Sequence, residues 1–332
     1  MIAAQYTENS EDHSVVNLTN VEVPTATEGM VVVRVNSAAI NPIDLMVMKG
    51  VMKSVGWAMP LPFVMGYDFA GVVDTVHSFV AGFSPGDRVF AVNWGDHSHA
   101  DADLPVGGAF AEYICVPASK LSKIPEGVTY DQAAAVALVG TTAHQILFDC
   151  CKVTADSKIL ILGGSTAVGN LAIQLAKSKG AWVAATCSSR NVDFVTQAGA
   201  DLVLNYQEKK WEDIAELKNL DAVLDCVGEK EGWSRTSKNG VVKSDGAFVS
   251  ISNPDVGFDP KGHAPMHFAS FYCLKNSVAV QDELASMIAA GTLKVPIDGI
   301  FPFTAEGMKE IMKKMDSGSS TGKNVMHIEE VK

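Results

Sequence analysis

The chain has 332 residues, of which 47% are hydrophobic, with a formal net charge of −12 and six cysteines. That length accommodates two domains, and the apolar share can furnish a core for each. An acidic chain without a Lys/Arg cluster excludes nucleic acid and anionic membrane as expected main partners. No apolar run reaches the ~18–20 residues of a membrane span. The start, Met1-Ile-Ala-Ala-Gln-Tyr6, lacks the basic-then-apolar pattern of a secretory leader. Cys115, Cys150, Cys151, Cys187, Cys226 and Cys273 form no C-x-x-C pair, so they read as reduced, mostly buried thiols of a cytoplasmic protein.

Residues 1–125 read as β-rich, with short strands at Met30–Asn36, Phe69–Val76, Arg88–Val92 and Ala111–Val116, and a turn at Ser84-Pro-Gly-Asp87. From Asp131 helices and strands alternate. Asp131–Val139 is expected to be an alanine-rich helix capped by Asp131, and Thr141–Cys151 a second helix. Strands follow at Ile159–Leu162, Trp182–Thr186, Asp201–Asn205, Asp221–Asp225 and Ala247–Ile251, with helical stretches between most of them. Such alternation gives a doubly wound parallel sheet. The tail carries helices at Asp282–Ala290 and Ala305–Asp316, an Ile300–Phe303 segment, and a last strand near Val325. The expected division is a dinucleotide-binding domain over 126–265, with 1–125 and 266–332 forming the other domain.

The most informative stretch is Lys158–Leu162 followed by Gly163-Gly-Ser-Thr-Ala-Val-Gly169 and a helical pattern over Asn170–Lys179. A strand, a glycine turn and a helix form the first half of a dinucleotide site, because the helix N-terminus offers unpaired N–H groups to a pyrophosphate. Threonine replaces the middle glycine of G-x-G-x-x-G, so the motif rests on its place between strand and helix. Gly164 shapes the turn, and the backbone of Ser165, Thr166, Ala167 and Val168 is expected at the pyrophosphate, with the Thr166 hydroxyl added. The next strand ends without the acid that binds an NAD ribose. It runs into Ser188-Ser189-Arg190, a pair of hydroxyls and a guanidinium suited to a 2′-phosphate. NADPH is therefore the expected cofactor; the plain alternative for Arg190 is a solvated surface residue.

Further pieces appear in order along nearly the whole chain: Ala38-Ala-Ile-Asn-Pro-Ile-Asp44, Pro62–Val73 with Gly66-Tyr-Asp-Phe-Ala-Gly71, Phe83–Phe90, Gly107–Tyr113, Val139–Ala143, Gln197–Asp201, Asn205-Tyr206 and Gly322-Lys323. Together they resemble the medium-chain dehydrogenase/reductase superfamily, in its zinc-free quinone oxidoreductase (zeta-crystallin-like) branch. The resemblance implies an α/β fold: a Rossmann parallel sheet plus a β-rich, partly open GroES-like barrel, with a cleft between the domains. It also implies a homodimer. In zinc-dependent members, catalytic-metal ligands fall where this chain has Asn41, Tyr67 and about Leu138, none a usual zinc ligand. Asn93–Gly108 lacks the cysteines of the structural zinc lobe. Its His97, His99, Asp96, Asp101 and Asp103 read as a solvated loop, so no metal is expected.

By resemblance, Asn41 lies beside the nicotinamide and is the first candidate to stabilise the acceptor oxygen. Tyr67 is the second, as a hydrogen-bond or proton donor, against a plain role in aromatic packing. Asp44 is expected to hold local structure. Met46 and Met48 stand where the branch often has tyrosine and arginine, which makes the wall less polar. Trp57 and Trp94 are expected either to line the pocket or to take a core or interface role. Tyr206 matches a tyrosine near the 2′-phosphate or adenine, and Thr142 is expected to approach the nicotinamide ribose. Val227, Gly228, Ser250 and Ile251 lie at strand ends where an open sheet meets its ligand, and Asn324 is a nicotinamide-side candidate. The expected function is NADPH-dependent reduction of a quinone, a small molecule. The alternatives are an enone/alkenal or enoyl-thioester reductase and, in a different class, an NADPH-binding crystallin-like or RNA-binding protein with little turnover.

Overall fold

The computed structural model describes residues 1–55, 58–94, 108–252 and 268–328. Trp57 and the His97/His99 loop with Asp96, Asp101 and Asp103 lie outside the described residues. Two compact units result: Met1–Leu138 with Lys275–Gly291 and Val295–Lys332, and Val139–Leu274 with Thr292–Lys294. The contacts thus change at 138 and 275, whereas the sequence pattern places the limits at 125 and 266.

In the first unit the long strand Met30–Ile40 organises a seven-stranded sheet. One side pairs with Asp68–Val76 throughout. The other is shared: Met30–Arg34 face Tyr113–Pro117, and Ser37–Ile40 face the tail strand Lys323–His327, all antiparallel. Irregularities after Val32 and Val35 let one strand serve these partners. Ile297–Pro302 extends the sheet in parallel beyond the tail strand, and a three-stranded sheet of Asn17–Asn20, Ile2–Tyr6 and Phe63–Val64 stands apart. Among the described residues these are open, mixed sheets and no barrel closes. Alternate side chains of Met30–Ile40 and its neighbours supply a core that includes Val31, Val33, Val35, Phe69, Val89 and Met326.

The second unit is a six-stranded, all-parallel sheet. Its order runs Leu202–Asn205, Trp182–Cys187, Lys158–Leu162, Leu220–Asp225, Val242–Ser250, Phe268–Phe271. This is the doubly wound 3-2-1-4-5-6 order, with the switch point at the Lys158–Leu162 strand. Ile159, Leu160, Ile161 and Leu162 are fully buried, as a central parallel strand requires.

Three expectations about the helix before this sheet need correction. Tyr130–His144 is one helix that continues into a π-helical turn at Gln145–Cys150. Gly140 and Thr141 do not break it, because its residues from Ala133 onward are largely buried and packing outweighs their weak helix propensity. Thr129 caps it, exchanging hydrogen bonds with Gln132 at 3.0 and 3.2 Å, and Asp131 instead accepts from Ser37 and pairs with His327. The 21-residue stretch Tyr130–Cys150 is also long and apolar enough to cross a membrane, contrary to the sequence expectation. With 78% of its apolar window buried inside the protein, it is a core helix.

Candidate functional site

In the second unit, Lys158–Leu162 delivers the chain into a turn where Gly163 has φ +88°, a conformation that favours glycine. A Cβ on Gly169 would lie 2.2 Å from the Gly163 carbonyl oxygen, so the helix start can sit this close to the turn only with glycine there. The helix itself spans Ala167–Ser178. Thr166 is its cap: its hydroxyl accepts from Gly169 N–H at 3.0 Å and donates to Gly163 O at 2.9 Å. Its one proton is thus spent inside the turn. The N–H groups of Ser165, Ala167 and Val168 have no partner among the described residues, which leaves the orphan donors of a helix N-terminus available to an anion.

The neighbouring strand ends complete this edge. Cys187 and Asn205 are register partners, and Tyr206 N–H donates to Cys187 O at 3.2 Å. Tyr206 (56% exposed) is thereby held beside Ser188, Ser189 and an exposed Arg190 whose guanidinium has no partner among the described residues. Lys209 and Lys210, on the turn that follows Asn205, are exposed cations that the sequence reading passed over. On the other side of the switch point, Asp225 accepts from the N–H groups of Val227, Gly228 and Glu229 at 2.9–3.1 Å and from Ser250 Oγ at 2.9 Å. Ile251 N–H returns to Asp225 O at 3.0 Å. This arrangement fixes the Val227 loop against Gly163, where a Cβ would meet Val227 Cγ1 at 2.3 Å. Thr142 lies buried in the long helix. The buried Cys226 thiol is pushed far up by burial, with the Asp225 charge adding to it, and is no nucleophile at neutral pH.

In the first unit the sequence-selected residues meet a partner that was not selected. Asn41 caps the short helix Pro42–Met48 and is 1% exposed. Its side-chain NH₂ donates to Asp68 Oδ2 at 2.9 Å and to Ala39 O at 3.3 Å. Its oxygen accepts from the Lys323 ammonium at 2.6 Å, which also donates to Asp68 Oδ2 at 2.9 Å and Ile40 O at 3.0 Å. Leu138 N–H closes the shell on Asp68 Oδ1 at 3.0 Å. Burial pushes the Asp68 carboxyl up and the Lys323 ammonium pulls it back. Asp44 accepts from Asn41 N–H at 2.7 Å, while its other oxygen is buried without a partner among the described residues; burial pushes its carboxyl up to about 8.

Tyr67 adjoins Asp68, is 1% exposed, and packs on Trp94 with ring centroids 5.1 Å apart. Its hydroxyl makes no hydrogen bond among the described residues. Burial, and then the nearby Asp44 charge, raise its pKa far above the usual phenol value, so it keeps its proton. Met46 is exposed, but Met48 is fully buried in the core, so only one methionine of the pair meets solvent. Asn324 is buried and donates to Ser320 Oγ at 2.8 Å. Successive strand residues face opposite ways, so Lys323, not Asn324, reaches Asn41. A signal for this pair exists in the sequence: Asp68 and Lys323 are opposite charges at the starts of largely apolar strands, and buried charges need partners.

The chain is similar to known proteins. Residues 27–126 match the alcohol dehydrogenase GroES-like domain, and 198–326 the zinc-binding dehydrogenase family. The chain is 32% identical over 311 residues to 2-methylene-furan-3-one reductase of Solanum lycopersicum, covering 93% of this chain and 74% of the relative. It belongs to the medium-chain dehydrogenase/reductase superfamily, in the zinc-free quinone oxidoreductase branch. Another relative is the chloroplastic NADPH-dependent alkenal/one oxidoreductase of Arabidopsis thaliana, 32% identical over 320 residues, with 93% and 74% covered. The quinone oxidoreductase structure from Coxiella burnetii superposes with a TM-score of 0.85 at 27% identity, over 99% of both chains. As an oxidoreductase of this superfamily, the chain has an NADP-type dinucleotide as its expected partner. The residues fit that group: orphan N–H donors at Ser165, Ala167 and Val168, a turn that a Cβ would block, and Ser188, Arg190 and Tyr206 on adjoining strand ends.

Proposed function

We propose that the protein is an NADPH-dependent, zinc-independent reductase of conjugated carbonyl acceptors, with a quinone as first substrate class. The observation that carries this reading is the strand-end cluster of Ser188, Arg190 and Tyr206, where a ribose-binding acid is missing and a free guanidinium takes its place. Bound NADPH supplies a hydride. The helix N-terminus neutralises the pyrophosphate, Arg190 and Ser188 bind the 2′-phosphate by charge-assisted hydrogen bonds, and the Asp225-held Val227 loop braces the turn. Negative charge then builds on the acceptor oxygen. Tyr67 is the group that meets it, because its hydroxyl is unspent and its proton is retained.

A second reading, reduction of an enone or alkenal, has its own support: both relatives with 32% identity are named for such substrates. A quinone and an enone share one electrophile, a C=C bond conjugated to a carbonyl, so the same hydride donor serves either. Arg190→Ala tests the cofactor assignment. It is expected to raise the NADPH dissociation constant about tenfold or more while leaving NADH nearly unchanged, as read by nucleotide fluorescence titration. Equal losses for both nucleotides would sink it.

A further inference from the structure

An asparagine side chain has two ends of almost equal shape, and which end faces which neighbour is fixed only by what those neighbours accept or donate. At Asn41 the neighbours leave one solution. An ammonium has donors only, so the Lys323 Nζ at 2.6 Å must face the carboxamide oxygen. A carboxylate has acceptors only, so the Asp68 Oδ2 at 2.9 Å must face the NH₂. All three Lys323 donors are used, on Ile40 O, Asn41 Oδ1 and Asp68 Oδ2, and Leu138 N–H takes the other Asp68 oxygen. Lys323 and Asp68 have side chains 3% and 0% exposed. The two charges come from strands on opposite sides of Met30–Ile40, and both end beside its C-terminus, where Asn41 begins.

We propose that Lys323 and Asp68 are positioning residues, a buried ion pair that locks the Asn41 carboxamide in one orientation and holds the adjoining Tyr67 at its place just before the Asp68–Val76 strand. The inference rests on the proposed hydride-transfer function for its kinetic consequence. Asn41 then does not donate to the acceptor: one amide proton is bound by Asp68 and the other is turned to Ala39 O. Asn41 acts as a fixed wall, and the unspent donor of the site is Tyr67. Neither charge touches a reacting atom, and each acts through Asn41 and Tyr67.

The test is a double-mutant cycle in the full-length protein, with NADPH and 1,4-benzoquinone, on Lys323→Met, Asn41→Ala and the two combined. Lys323→Met alone is expected to lower kcat about tenfold or more, with the NADPH dissociation constant changed by less than about twofold. In the Asn41→Ala background the same change is expected to cost less than about threefold. An equal loss in both backgrounds, or a parallel loss of NADPH affinity, overturns the lock. Since a lone buried carboxylate can unfold the chain, Lys323→Met/Asp68→Asn removes both charges and carries the same cycle if the single variant does not fold. Independently of turnover, ¹⁵N-asparagine spectra assign the Asn41 NH₂ by its loss in Asn41→Ala. The lock requires this pair to be protected from exchange and to shift or broaden in the charge-deleted variant, and an unchanged signal overturns it. If the wild type turns over no acceptor, the functional reading fails while the amide spectrum still judges the lock.

Discussion

The polar cluster of the first unit is the part of the molecule where single residues decide most. Asp44 sits at its rim, with Asp68 and Lys323 as charged neighbours and the Tyr67 and Tyr6 phenols close enough to feel its charge. Its carboxyl lies at about 8, against 3.8 for the ordinary group. An acid raised on folding holds its proton in the native state, so its stabilising contribution is full below the unfolded value and is lost as pH rises through the folded one. Asp44→Asn keeps an acceptor for Asn41 N–H and cannot ionise. Between about pH 5 and pH 8 it should flatten the fall in stability by on the order of 2 kcal/mol relative to wild type, measured as urea midpoints. Parallel pH profiles for the two proteins would contradict this. At this scale the sequence shows directly which residue types stand together, as at Arg190 beside two serines, whose binding role belongs to the proposal. It was not legible at Asn41, whose role depends on Lys323, 282 positions away in the chain.

Among the elements, the strand–turn–helix over Lys158–Ser178 was readable from sequence because local rules fix it: an apolar β run, glycines at a tight turn, and Thr166 as cap. Ala305–Asp316 was readable to the residue for the same reason, with Thr304 capping it and its buried face repeating at helical spacing. The sequence pattern divides the long helix over Tyr130–His144 into two. Its Gly140-Thr-Thr142 segment looks like a break locally, and only tertiary burial overrides it. The glycine turn also yields a sharp prediction. Gly169→Ala places a Cβ 2.2 Å from the Gly163 carbonyl, and backbone cannot yield cheaply. The substitution should cost about 1–3 kcal/mol in thermal or chemical denaturation and weaken NADPH binding about tenfold. A full-affinity variant would mean that the turn does not contact the nucleotide.

For the whole molecule, alternating patterns reveal the parallel sheet and the β-rich N-terminal part, whose sheets are mixed and, among the described residues, open. The tail strand Lys323–His327 enters the first unit's sheet beside Ser37–Ile40, a long-range pairing that no local rule specifies, and it is this pairing that delivers Lys323 to Asn41. NADPH-driven reduction of a conjugated carbonyl is the function proposed for the chain. The direct measurement is kcat/KM for 1,4-benzoquinone, 9,10-phenanthrenequinone, an alkenal and a crotonyl thioester, with NADPH and NADH run side by side. Turnover of a quinone or alkenal is expected, with NADPH favoured over NADH by about tenfold or more, quinones leading if the first reading holds and the alkenal if the second does. NADPH binding without turnover of any of the four, or NADH serving equally well, would contradict it.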